Sequence, residues 1–126
     1  MAGSDQVIPG ARSVSVALSD TLNVGAERST VVRRNDSTTV SGSATLSVGK
    51  SITQTAGSDL AMQAGKHVVI EAGDSLELVV GNARLTMKKD GSIVLSGRDI
   101  TIEGSGRVTV KASGEVSIRG SKVSQN

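Results

Sequence analysis

Along residues 48–81, "VGKSITQTAGSDLAMQAGKHVVIEAGDSLELVVG", apolar and polar positions alternate in blocks closed by glycines at 49, 57, 65, 73 and 81, one every eight residues. Counted from each glycine, the third, fifth and seventh positions are mostly apolar: Ile52/Gln54/Ala56, Leu60/Met62/Ala64, Val68/Ile70/Ala72 and Leu76/Leu78/Val80. The positions between them are mostly polar, as at Thr53, Thr55, Gln63, Glu71 and Glu77, with Ala61, Val69 and Val79 as exceptions. Alternation of period two is the mark of a half-buried strand. Glycine supplies turn angles that other residues resist. Each octad therefore predicts a short strand closed by a turn at Gly49, Gly57, Gly65, Gly73 or Gly81.

The same phase runs toward both ends in weaker form. Upstream it gives Leu22/Val24, Thr30/Val32, Thr38/Val40 and Ala44/Leu46/Val48, with Gly25 at the turn and Arg33 and Ser41 standing in for glycine. Downstream it gives Ile100/Ile102/Gly104, Val108/Val110/Ala112 and Val116/Ile118/Gly120, with the turn glycines displaced by one place to Gly106 and Gly114. Between them, Ala83/Leu85/Met87 and Ile93/Leu95/Gly97 flank the turn-like "KKDG" of residues 88–91. The steps from Leu76 to Ala83, Ile93 and Ile100 are 7, 10 and 7 residues, so the phase is recovered after 24, three octads' worth of chain. A slip of one residue would turn every apolar side chain to the wrong face. The compensated spacing predicts an irregularity inside one continuous element. The organisation that follows is an irregular lead-in over 1–15 (with "MAGS" as a tag remnant), an octad repeat over 16–81, an irregular insertion over 82–97, and a C-terminal repeat and tip over 98–126.

A lone octad exposes one apolar face and two unpaired edges, and is not stable by itself. Composition sharpens the difficulty. The 126 residues include 15 Gly and one Pro but no Cys, Phe, Trp or Tyr, so neither aromatic packing nor disulfides support a small core. Two arrangements would close the edges: three chains wound about one axis, or one chain coiled as a solenoid of 24-residue turns. Successive octads look alike, whereas a solenoid usually marks its full coil, and a narrow three-fold interior would explain the missing aromatics. The expected fold is thus all-β, a homotrimeric intertwined triple-stranded β-helix, or prism. Its axial core would comprise Leu46, Val48, Ile52, Gln54, Leu60, Met62, Val68, Ile70, Leu76, Leu78, Val80, Ile100, Ile102, Val108, Val110, Val116 and Ile118.

The octads, together with "ARLTMKKDGSIVLSGRDITIEGSGRVTVKASGEVSIRGSKVSQN", closely resemble the C-terminal needle of valine–glycine repeat (VgrG) proteins. These are the spikes of bacterial type VI secretion systems, related to the central spikes of contractile phage tails. The resemblance spans nearly the whole chain and is best from Val40 to Asn126. Its most specific part is the irregularly spaced run beginning at Met87. Arg33, Ser41 and the sets at Thr30 and Thr38 are weaker than the family's repeat. The resemblance implies an intertwined homotrimer acting as a membrane-puncturing needle, excised from the hub domains and tube that would adjoin its N-terminal side. It also implies a C-terminal tip, Gly120, Ser121, Lys122, Val123, Ser124, Gln125 and Asn126, that receives a conical PAAR-repeat protein and associated effectors. Such a spike would assemble in the bacterial cytoplasm and then be secreted or delivered into a target cell. A phage central spike, and a trimeric or solenoid stalk that binds glycans or receptors, are the alternatives.

Candidate chemistry changes little. His67, the only histidine, falls on an outward, polar-phase position and reads as a solvated residue. Gln54 falls on an inward position, where three amides would have to bond one another or a trapped water or ion; Thr38 invites the same reading. Asp74, Glu71, Glu77, Glu103 and Glu115 alternate with bases on outward positions, and a convex needle offers no cleft for acid–base work. "GSGR" at 104–107 lacks the strand-to-helix setting of a phosphate loop, and "NDS" at 35–37 is a sequon without evident use. No catalytic, cofactor or metal site is expected, and the chain reads as non-enzymatic. The net charge of +2, the two basic pairs Arg33-Arg34 and Lys88-Lys89, and the lack of aromatics disfavour nucleic acid. No apolar run approaches the ~20 residues of a membrane span, so any membrane would be crossed mechanically.

Overall fold

The computed structural model describes residues 3–126. The chain divides into two units, 1–54 and 55–126. In the first, the backbone bends at 9–10, 17–18, 25–26, 33–34, 41–42 and 49–50, an eight-residue interval that holds even where Pro9, Ala17, Arg33 and Ser41 begin the bend. In the second, bends at 57–58, 65–66 and 73–74 lead into a three-stranded antiparallel sheet, and further bends follow at 98–99, 105–106, 113–114 and 121. The sheet is a meander of β1 (Ser75–Val80), β2 (Ala83–Lys88) and β3 (Ile93–Ser96), in spatial order β1-β2-β3.

The expected intertwined triple-stranded β-helix is not the fold of this chain. Among the described residues there is no helix, and strand is confined to the one three-stranded sheet. The alternative of a self-coiled solenoid fails on the same finding, because no octad is ladder-paired to another. The physical reason lies in the repeat. An octad's bend redirects the chain but brings no neighbouring segment alongside, so its N–H and C=O groups have nothing within the chain to pair with. Among the described residues, backbone–backbone hydrogen bonds lie within the sheet and its immediate junctions. The pairing joins the last octad before residue 82, as β1, to the segment read as an irregular insertion over 82–97, which holds β2 and β3.

Two turns explain why. Gly81 and Asn82 form a two-residue connection between β1 and β2, with Gly81 at φ 54°. Glycine at the first central position is the requirement of a type II′ hairpin turn, whose twist matches that of the flanking strands. Between β2 and β3, Gly91 N–H donates to Lys88 O at 3.0 Å and Lys88 N–H donates to Ser92 O at 3.0 Å, with Gly91 at φ 92°. This is a three-residue hairpin loop in which a left-handed glycine forms the bulge. Ser92 N–H also donates to Asp90 Oδ1 at 2.9 Å, closing a local ring of the kind Asp favours in turns. The β1–β2 ladder extends one step further through Lys89 N–H donating to Asp74 O at 2.9 Å.

Candidate interaction surface

The register sorts the sheet into two faces. Leu76 pairs with Met87, Leu78 with Leu85 and Val80 with Ala83 across β1 and β2, while Leu85 pairs with Leu95 and Met87 with Ile93 across β2 and β3. Directly opposed residues share a face, so all of these apolar side chains lie on one side. The other side carries Glu77, Val79, Arg84, Thr86, Val94 and Ser96. There Arg84 Nη1 lies 3.4 Å from Glu77 Oε1, a diagonal cross-strand pair. It is exposed, and such pairs are worth about 0–1 kcal/mol.

Among the described residues nothing covers the apolar face. Leu76 and Leu85 are half-buried, but Leu78 is 54%, Val80 80% and Ile93 69% exposed. The same holds along the repeat. Among the described residues none is buried, and Leu46, Val48, Ile52, Gln54, Leu60, Met62, Val68, Ile70, Ile100, Ile102, Val108, Val110, Val116 and Ile118 are all exposed. A single chain brings only Leu76, Leu78 and Val80 of the expected axial residues together, on the sheet. Ala83, Leu85, Met87, Ile93 and Leu95 join them there, although they stood outside the expected core. Their alternation about the "KKDG" turn was the signal that could have placed them on one face.

The other predicted positions fall as follows. Gly49, Gly57, Gly65 and Gly73 each begin a bend, and Gly81 occupies the hairpin turn. Gly104 is more constrained than its place in the repeat implies: a Cβ there would lie 2.8 Å from Val108 Cγ2. Gly120 through Asn126 are exposed, and His67 and Gln54 are exposed as well. Charged groups gather at one end of the sheet, where Asp74, Ser75, Lys88, Lys89 and Asp90 line an open hollow. Lys89 Nζ is 4.0 Å from Asp74 Oδ1. The Ser92 N–H and hydroxyl hydrogen bonds hold the Asp90 carboxyl below its ordinary value of 3.8. Among the described residues, no cluster of three or more His, Cys, Asp or Glu side chains is placed to hold a metal.

What this arrangement offers chemically is a surface for association. It presents an apolar sheet face, an exposed apolar series at two-residue spacing on either side of it, and unpaired backbone. No protein-family model matches the chain, and no curated protein matches it.

Proposed function

We propose that the chain is a structural, non-catalytic part of the spike of a contractile injection machine of the type VI secretion kind. It associates with further copies of itself, three by the likeness to VgrG needles, and presents residues Gly120–Asn126 to a conical PAAR-repeat tip protein. Its N-terminal side would join the spike hub and tube. It would be assembled in the bacterial cytoplasm and expelled with the machine, crossing a membrane by force. The observation that carries the reading is the surface. The chain exposes 14061 Å², whereas a compact monomer of 12.8 kDa would expose about 6,300 Å² and an unfolded one about 18,600 Å². Surface on that scale must be covered for the chain to be stable, and identical repeats supply identical, self-complementary partners.

The test is absolute molar mass by light scattering after size exclusion, followed by capture of a purified PAAR-repeat protein. The expected result is a mass near three chains that persists on dilution. Capture is expected to be lost when residues 120–126 are deleted, with the mass per chain number unchanged. A monomer at all concentrations would defeat self-association, and undiminished capture by the truncated chain would defeat the tip assignment.

A further inference from the structure

The contrast between the sheet and the rest of the chain has a kinetic consequence. Outside residues 74–96, the described residues make no backbone–backbone hydrogen bond within the chain. Inside, the ladders close between strands joined by two short connections, residues 81–82 and 89–92. Every partner lies nearby in sequence: Ser75 pairs with Lys88, and Arg84 with Ser96. Short loops close quickly and local contacts need no encounter between molecules. Both turns also hold glycine at positive φ, 54° at Gly81 and 92° at Gly91, so their backbone geometry is available at no steric cost.

We propose that Ser75–Ser96 is the folding nucleus of this chain: a meander that closes within one copy, orders first, and sets the register in which the flanking octads meet other copies. The inference rests on the self-association proposed above. Its second strand of support is phase. Leu76 and Ile100 are 24 residues apart; the first bend after the sheet, at 98–99, falls one place late, and those at 105–106, 113–114 and 121 are back on the eight-residue count of 57–58, 65–66 and 73–74. The chain passes through the meander and is back in its earlier phase at 105–106. An octad repeat by itself is poorly registered, because sliding one copy by eight residues would restore nearly the same apolar pattern. A single non-repeating sheet removes that ambiguity, since only one alignment superimposes it on its counterparts.

Pulse-labelling hydrogen exchange during refolding of the full chain, read by mass spectrometry at two protein concentrations, tests the order. Residues 75–96 are expected to gain protection first, at a rate independent of concentration, with the flanking repeats following at a rate that rises with it. Gly81→Val is expected to slow the first phase about tenfold, through the positive φ it would force on a β-branched residue. Gly57→Val, in the regular repeat, is expected to leave that phase unchanged. Asp90→Ala, a milder change in the second turn, is expected to slow it by a smaller factor and serves if Gly81→Val fails to fold. Protection of 75–96 that coincides with the repeats, or whose rate scales with concentration, would overturn the proposal. Early protection with no later concentration-dependent phase would uphold the nucleus and count against self-association instead.

Discussion

At the scale of single residues, the two positive-φ glycines and Asp90 carry the specific geometry. A side chain at Gly81 or Gly91 meets no atom within 4 Å, so the harm done by substitution is backbone strain and not crowding. Gly81→Val is expected to destabilise the sheet by about 1–2 kcal/mol, and Gly57→Ala, which has no positive φ and the same open surroundings, by far less. Chemical denaturation of the two variants side by side would separate them. Asp90 acts through its charge. Its carboxyl, bonded by the Ser92 N–H, is lowered from 3.8, so the unfolded chain binds the proton more readily than the folded one. The contribution of this turn is therefore present above the ordinary carboxylate value and is lost as pH falls through the lower, folded value. Asp90→Asn should remove that pH dependence, read from the exchange of the β2–β3 amides between neutral pH and acid. Persistence of the same acid sensitivity in the variant would assign it to another carboxylate.

At the scale of elements, the sheet's two faces make opposite predictions. Leu78 and Val79 are neighbours in β1 but point to opposite sides, Leu78 toward the uncovered apolar face beside Leu85. Burying a leucine contributes about 1.5–3 kcal/mol, and burying an unpaired charge in its place costs more. Leu78→Glu is expected to shift the association midpoint in sedimentation by at least about tenfold, whereas Val79→Thr should barely move it. Equal effects would mean that the apolar face is not the contact. The alternation that defines these faces was legible in the sequence, as were the "KKDG" turn and the glycine bends. The pairing was not. Periodicity states which side chains share a face, but it does not name the strand that will accept the hydrogen bonds, and the octads between Gly49 and Gly73 have the alternation without a partner inside the chain. Hairpin formation instead followed turn chemistry at Gly81-Asn82 and Lys89-Asp90-Gly91, in the stretch whose broken period made it look least regular. The interaction surface was likewise half visible: Leu76, Leu78 and Val80 were expected to be covered, but Leu85, Met87, Ile93 and Leu95 were not counted with them.

At the scale of the whole molecule, the proposed self-association would make stability and association one quantity. A chain with no buried residue among those described has little to set against the roughly 1–2 kcal/mol per residue of backbone entropy lost on ordering. The three-stranded sheet has only one apolar face, still open, and the repeats make no ladder of their own. On the proposed self-association, what holds the ordered chain is gained between copies, and partner binding stabilises by mass action. The thermal midpoint, measured by circular dichroism, is accordingly expected to rise with protein concentration as long as the associated state dissociates on melting. Leu78→Glu should lower the midpoint at every concentration and steepen its fall on dilution. Once copies have associated, separation would have to expose their apolar series together, so unfolding should be slow and the apparent midpoint should depend on scan rate. A midpoint that is independent of both concentration and scan rate would mean that the single chain holds itself together, and the uncovered apolar series would then need a partner other than its own kind.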